Sequence, residues 1–205
     1  MLRRNEKNFS YNEITLINKR KSLPFWWYVK RNGLQDFAQT HLVLNRWQKG
    51  IEIFLKDHDF ASDAMKYVLE DKDSAIFQTY LRCRGLSLEN QVSLVRDGNI
   101  ENLRRYITWG YALWDKAEIT LVDKRCDELL RKYVVIQRTL CENAENRLVI
   151  KGEKNLVKWY IEQFGLYITS KSLIYKRGDT DLIEAIKKSH KPTVSYQENV
   201  CLKNF

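Results

Sequence analysis

LVRDGNIENLRRYI, residues 94–107, returns as LVDKRCDELLRKYV at 121–134 and as LVIKGEKNLVKWYI at 148–161. The apolar letters persist while the polar ones drift, which separates residues chosen for an interior from residues that face water. Followed outward, the first apolar anchor recurs at Leu16, Leu42, Val68, Leu94, Leu121, Leu148 and Ile174, with successive gaps of 26, 26, 26, 27, 27 and 26 residues. A fixed period in the range of roughly 20 to 50 residues marks a chain assembled from stacked supersecondary units.

A second series, Tyr28, Phe54, Tyr80, Tyr106, Tyr133, Tyr160 and Ile186, keeps the same rhythm. Three residues before its members stand Phe25, Ile51, Phe77, Leu103, Leu130, Val157 and Ile183, and one residue after the first six stand Val29, Leu55, Leu81, Ile107, Val134 and Ile161. Apolar residues at i, i+3 and i+4 form one stripe of a helix. A third series, Leu34, Phe60, Leu86, Leu113, Leu140 and Leu166, falls just past that helix and is expected to plug the connection to the next unit. Each unit therefore reads as helix, tight turn, helix, connector, with two helices of about ten residues and about 15 Å each. Such short helices are marginal in isolation, because nucleation is costly, so each unit must bury its stripe against its neighbours.

The turn residues agree with this. Asp115 with Glu118 three residues on reads as an N-cap with an acidic partner, and Ser62, Ser87 and Thr169 read as caps at related points. Between the two helices stands Arg20, Arg46, Lys72, Gly98, Arg125, Gly152 or Gly178, always glycine or a cation. Glycine suits a left-handed C-terminal residue, and a cation complements the negative end of a helix.

This pattern resembles the HEAT and armadillo class of all-α superhelical repeats, with a shorter unit than either, over residues 10–188. The resemblance implies an all-α fold, a right-handed α-α superhelix or α-solenoid of about seven two-helix repeats in a single domain over 1–205. Residues 189–205, where Pro192 breaks the period, form either a C-terminal cap or a loose tail. No consensus of those families matches, so no functional residue is carried over.

Only 8 Gly and 2 Pro occur in 205 residues, which favours helices over tight turns and strands. The formal charge of +9, from 35 Lys and Arg against 26 Asp and Glu, points to acidic partners. Cys83, Cys126, Cys141 and Cys201 lie far apart, so neither a zinc knuckle nor a redox dithiol is written here, and reduced thiols in a cytoplasmic chain are expected. The longest apolar run, 23–29, is too short to span a bilayer, and the polar start lacks the apolar stretch of a secretion signal. His41, His58 and His190 accompany no nucleophile pattern, and neither a phosphate loop nor a metal motif is present, so no enzyme activity, cofactor or metal is expected. The acidic residues Asp57, Asp59, Asp63, Glu70, Asp71 and Asp73 read as caps and surface charge.

Function in paired-helix solenoids lies on the concave face lined by the second helices. The two positions before the aromatic anchor hold Arg104 and Arg105, Arg131 and Lys132, and Lys158 and Trp159 in three consecutive units. These cations would stand in register about one helix layer apart, with an indole at one end able to stack a base. Trp26 and Trp27 are expected to cover the exposed end of the first layer. The leading expectation is a non-enzymatic interaction scaffold that binds a protein partner, in particular an acidic segment, along the concave face. The alternative is a nucleic-acid-binding α-solenoid that grips phosphates with the basic ladder.

Overall fold

The computed structural model describes residues 12–189, which contain fourteen helices and no strand. In order they are α1 (12–19), α2 (Ser22–Asn32), α3 (Asp36–Leu44), α4 (Gln48–Phe54), α5 (Ser62–Leu69), α6 (Ala75–Cys83) and α7 (Leu88–Arg96). There follow α8 (Ile100–Thr108), α9 (Asp115–Asp123), α10 (Asp127–Gln137), α11 (Glu142–Lys151), α12 (Lys154–Phe164), α13 (Ile168–Arg177) and α14 (Thr180–Lys188). The stretch 190–205, read as cap or tail, lies outside the described residues, as do His190 and Cys201.

Two compact units form, Met1–Leu103 and Arg104–Phe205. In the first, α2 packs on α4 and α4 on α6, while α3 packs on α5 and α5 on α7. In the second, α9 packs on α11, α11 on α13, and α12 on α14. Helices thus meet their next-but-one neighbours, an arrangement compatible with a helical repeat in which first helices stack on first helices and second on second.

The anchors account for this packing. Leu42, Val68, Leu94, Leu121, Leu148 and Ile174 are all buried, whereas in α1 Ile17 takes the fully buried place and Leu16 is half-buried. Phe54, Tyr80, Tyr106, Tyr133 and Tyr160 are buried as well, with Tyr28 and Ile186 half-buried at the two ends of the series. Of the connector plugs, Leu34, Phe60, Leu113, Leu140 and Leu166 are buried and Leu86 is half-buried.

The turn position divides into two physical cases. Arg20, Arg46, Arg125 and Gly178 have φ of 50°, 56°, 53° and 67°, so three arginines occupy the left-handed region where glycine was the expected tenant. At Gly98 and Gly152 the requirement is close approach: a Cβ would come within 2.7 Å of the Leu94 carbonyl oxygen and 2.5 Å of the Leu148 carbonyl oxygen, respectively. In the third repeat the left-handed residue is Ser74 instead of Lys72. Of the expected caps, Ser87 is one, accepting from the Asn90 N–H at 3.3 Å. Ser62, Asp115 and Thr169 are not, because their helices begin one residue (Ser62, Asp115) or two residues (Thr169) earlier than the cap reading requires and the N-cap residues are Ala61, Trp114 and Tyr167.

Glu118 is the larger correction. It is fully buried and belongs to a fourth periodic series, Glu13, Gln39, Met65, Gln91, Glu118 and Glu145, all of them buried. In the first unit, Glu13 accepts from the Tyr28 hydroxyl at 3.2 Å and the Gln35 N–H at 3.3 Å, and Gln39 accepts from the Ala61 N–H at 2.7 Å. In the second, Glu118 accepts from the Tyr133 hydroxyl at 2.5 Å and the Cys141 N–H at 2.6 Å, and Glu145 from the Tyr160 hydroxyl at 3.0 Å and the Tyr167 N–H at 2.7 Å. The tyrosine oxygens in turn accept from connector amides, Tyr133 from Leu113 at 3.1 Å and Tyr160 from Leu140 at 3.2 Å. Gln35, Ala61, Cys141 and Tyr167 are N-cap residues, whose N–H groups have no partner within their own helix. At these four helix starts the preceding repeat supplies that partner through a buried Glu or Gln, while Met65 breaks the polar pattern.

Burial pushes the Glu145 carboxyl from 4.5 to about 7, outweighing the hydrogen bonds from Ser170, Tyr167 and Tyr160 that favour its ionised form. Between those two values the folded protein holds a proton that the unfolded chain has released, so stability falls as pH rises through this window. The full difference is about 3 kcal/mol. Denaturant unfolding at about pH 5 and about pH 7.5 is expected to show a loss of stability that is smaller by about 2 kcal/mol in Glu145→Gln than in the parent. An identical loss in both proteins would remove Glu145 as its source.

Candidate binding face on the second helices

The cation positions lie beside buried anchors, which fixes their direction. Because Tyr106, Tyr133 and Tyr160 point inward, the residues one and two places earlier emerge on either side of the buried stripe. Arg104, Arg105, Arg131, Lys132 and Trp159 are half-buried, and Lys158 is exposed. All six belong to the second compact unit.

Two of the expected rungs are engaged by neighbours. The Arg131 guanidinium lies 4.4 Å from the centre of the Trp159 ring, a cation–π contact between α10 and α12. Trp159 meets Phe164 edge-on at 5.6 Å. One face of the indole expected to stack a base is therefore covered by a cation. Arg104 Nη2 reaches Glu128 at 3.6 Å, with the carboxylate side chain 77% exposed, so solvent screens this pair. Lys158 and Lys188 both hold the Glu184 carboxyl below its ordinary value, Lys188 the more strongly. The structure thus joins Arg131 to Trp159 directly and brings Arg104 to Glu128, while Lys158 acts on Glu184 through charge.

An apolar surface beside these cations went unread in the sequence. Trp109, Tyr111, Val135 and Ile136 are all exposed, Val135 to 53%. Gln137 Nε2 donates to the Gly110 carbonyl at 3.0 Å, bringing the end of α10 against the turn after α8. Trp109 and Ile136 are 27 residues apart, one period of the repeat.

Burial, with the Glu118 carboxylate adding to it, pushes the Cys141 thiol up to about 12, so it is protonated and a poor nucleophile. His41 contacts Asn18 at 2.9 Å and His58 the Val29 carbonyl at 3.3 Å. Among the described residues no three His, Cys, Asp or Glu side chains gather to hold a metal. The acidic residues near the third repeat act structurally: Asp71 accepts from the Ile76 N–H at 2.8 Å and pairs with Arg46 at 2.9 Å, and Asp59 accepts from the Tyr80 hydroxyl at 2.9 Å. In α2, Trp27 is 63% exposed and Trp26 is half-buried beneath Lys30, whose ammonium is 5.1 Å from the ring centre. Among the described residues no helix is long and apolar enough to cross a membrane. No protein-family model matches the sequence, and no curated protein or solved structure matches it either.

Proposed function

We propose that the chain is an α-solenoid of the HEAT- and armadillo-like class, with about seven two-helix repeats in right-handed succession, acting as a non-enzymatic scaffold. Its ligand is an acidic segment of a partner protein, held along the second helices by Arg104, Arg105, Arg131, Lys132 and Lys158. The observation that carries this reading is Arg131 over Trp159: the stack preorganises the guanidinium and leaves its N–H edge to bind a carboxylate. Arg131 on one face of the indole also leaves it no more than one face for a base, which favours the acidic segment over the nucleic-acid alternative.

The test uses fluorescent poly-L-glutamate and a mixed-sequence DNA oligonucleotide, single-stranded and duplex. Poly-L-glutamate is expected to bind with an affinity that declines with salt, and joint replacement of Arg104, Arg131 and Lys158 by Glu is expected to weaken it by on the order of tenfold or more. Unchanged binding in the triple variant would make the cations surface decoration. Tighter binding of the oligonucleotide, lost in the same variant with a steep salt dependence, would establish the nucleic-acid reading instead.

A further inference from the structure

The ends of α8 and α10 present two kinds of surface side by side. Trp109 lies one turn beyond Arg105, its N–H bonded to the Arg105 carbonyl at 2.9 Å, so the two side chains occupy one column of the same helical turn. Ile136 lies four residues beyond Lys132 within α10 and shares its column in the same way. Two contacts set these columns side by side. Arg104 meets Glu128 near the start of α10 and Gly110 meets Gln137 at its end, so the segment from Arg104 onward runs in the same direction as α10, and the Gly110–Gln137 contact sets the pairing there at 27 residues. Arg105 therefore stands level with Lys132, and Trp109 level with Ile136. Tyr111 stacks on Tyr106 at 4.9 Å just past the end of α8, and Val135, next to Ile136 in α10, adds a further exposed apolar side chain.

We propose that Trp109, Tyr111, Val135 and Ile136 dock the apolar face of an acidic amphipathic helix from a partner protein, while Arg105 and Lys132 receive its carboxylates. This rests on the scaffold reading and specifies its ligand. Charge complementarity selects the occupant: a basic row directly beside the apolar row disfavours a basic or wholly apolar segment and favours one with carboxylates flanking its apolar stripe. Shape agrees, because apolar anchors at i, i+3/i+4 and i+7 of a helix step by about 5 to 10 Å, matching columns set about 8 to 10 Å apart on neighbouring helices. The aromatic members offer large contact area with little side-chain entropy to lose.

The experiment uses a fluorescein-labelled peptide of about 18 residues, or five helical turns, with Leu on one face and Glu elsewhere. A shuffled peptide of the same composition lacks the apolar face, and poly-L-glutamate reports on charge alone. The amphipathic peptide is expected to bind at least about tenfold tighter than the shuffled one. The double variant Trp109→Ser with Ile136→Ser should erase that preference and leave poly-L-glutamate binding as it was. Val135→Ser, at a more exposed site, provides an independent weakening if the double variant folds poorly by circular dichroism. Equal binding of the two peptides, or a preference that survives both variants, overturns the inference and leaves the scaffold reading standing. Loss of poly-L-glutamate binding in the parent overturns the scaffold reading itself. Self-association abolished by Trp109→Ser with Ile136→Ser would replace the partner helix by a second copy of this chain and likewise overturn it.

Discussion

Replacing Glu118 by leucine is expected to lower stability by about 3 to 5 kcal/mol, a large part of what a domain of this kind possesses. The side chain is fully buried, yet its worth lies in its two oxygens, which accept from the Tyr133 hydroxyl and the Cys141 N–H. Leucine has similar volume and no acceptor, so both donors are left in an interior without water, at about 1 to 3 kcal/mol each. Glu118→Gln keeps one carbonyl acceptor and should cost about 1 kcal/mol. Urea unfolding of the three proteins checks the ordering. If leucine proved no worse than glutamine, the carboxylate would be a tolerated passenger and not a fastening.

Tyr160→Ala should be at least as damaging, by about 3 to 5 kcal/mol, for a different reason. Its ring is 1% exposed and packs on Phe164 with centroids 5.5 Å apart, so truncation opens a cavity in the second unit. The hydroxyl is a separate contribution, donating to Glu145 and accepting from the Leu140 N–H. Tyr160→Phe removes that contribution alone and should cost about 1 to 2 kcal/mol. A loss in the phenylalanine variant equal to that in the alanine variant would show that the hydrogen bonds outweigh the packing.

How much of this was legible in the sequence depended on which residues obeyed a simple rule. Leu94, Leu121, Leu148 and the aromatic anchors obey the rule that periodic apolar letters are interior, and they are buried. Glu118 follows Asp115 in a spacing typical of helix starts, so it was read as a capping partner. The signal that could have corrected this is the recurrence of Glu13, Gln39, Gln91, Glu118 and Glu145 at the period of the anchors, since water-facing positions have no reason to repeat Glu and Gln. Trp109 and Ile136 stand one period apart and remain exposed, because hydrophobicity at one position does not reveal which side of a helix end it occupies. The recurrence of cations two places before the aromatic anchors was visible in the spacing. That Arg131 covers Trp159 was not, because the contact depends on the lateral offset of α10 and α12, which no spacing encodes.

Amide hydrogen exchange at Gln35, Ala61, Cys141 and Tyr167, resolved by NMR, most directly tests whether each repeat fastens the next through a buried side chain. First-turn amides ordinarily exchange fast, because nothing in their own helix accepts from them. Each of these four donates instead to Glu13, Gln39, Glu118 or Glu145 of the preceding repeat, and protection comparable to that of mid-helix amides is expected at all four. Exchange as fast as that of exposed first-turn amides would contradict the linkage, and with it the reason Glu or Gln stands at these four buried positions.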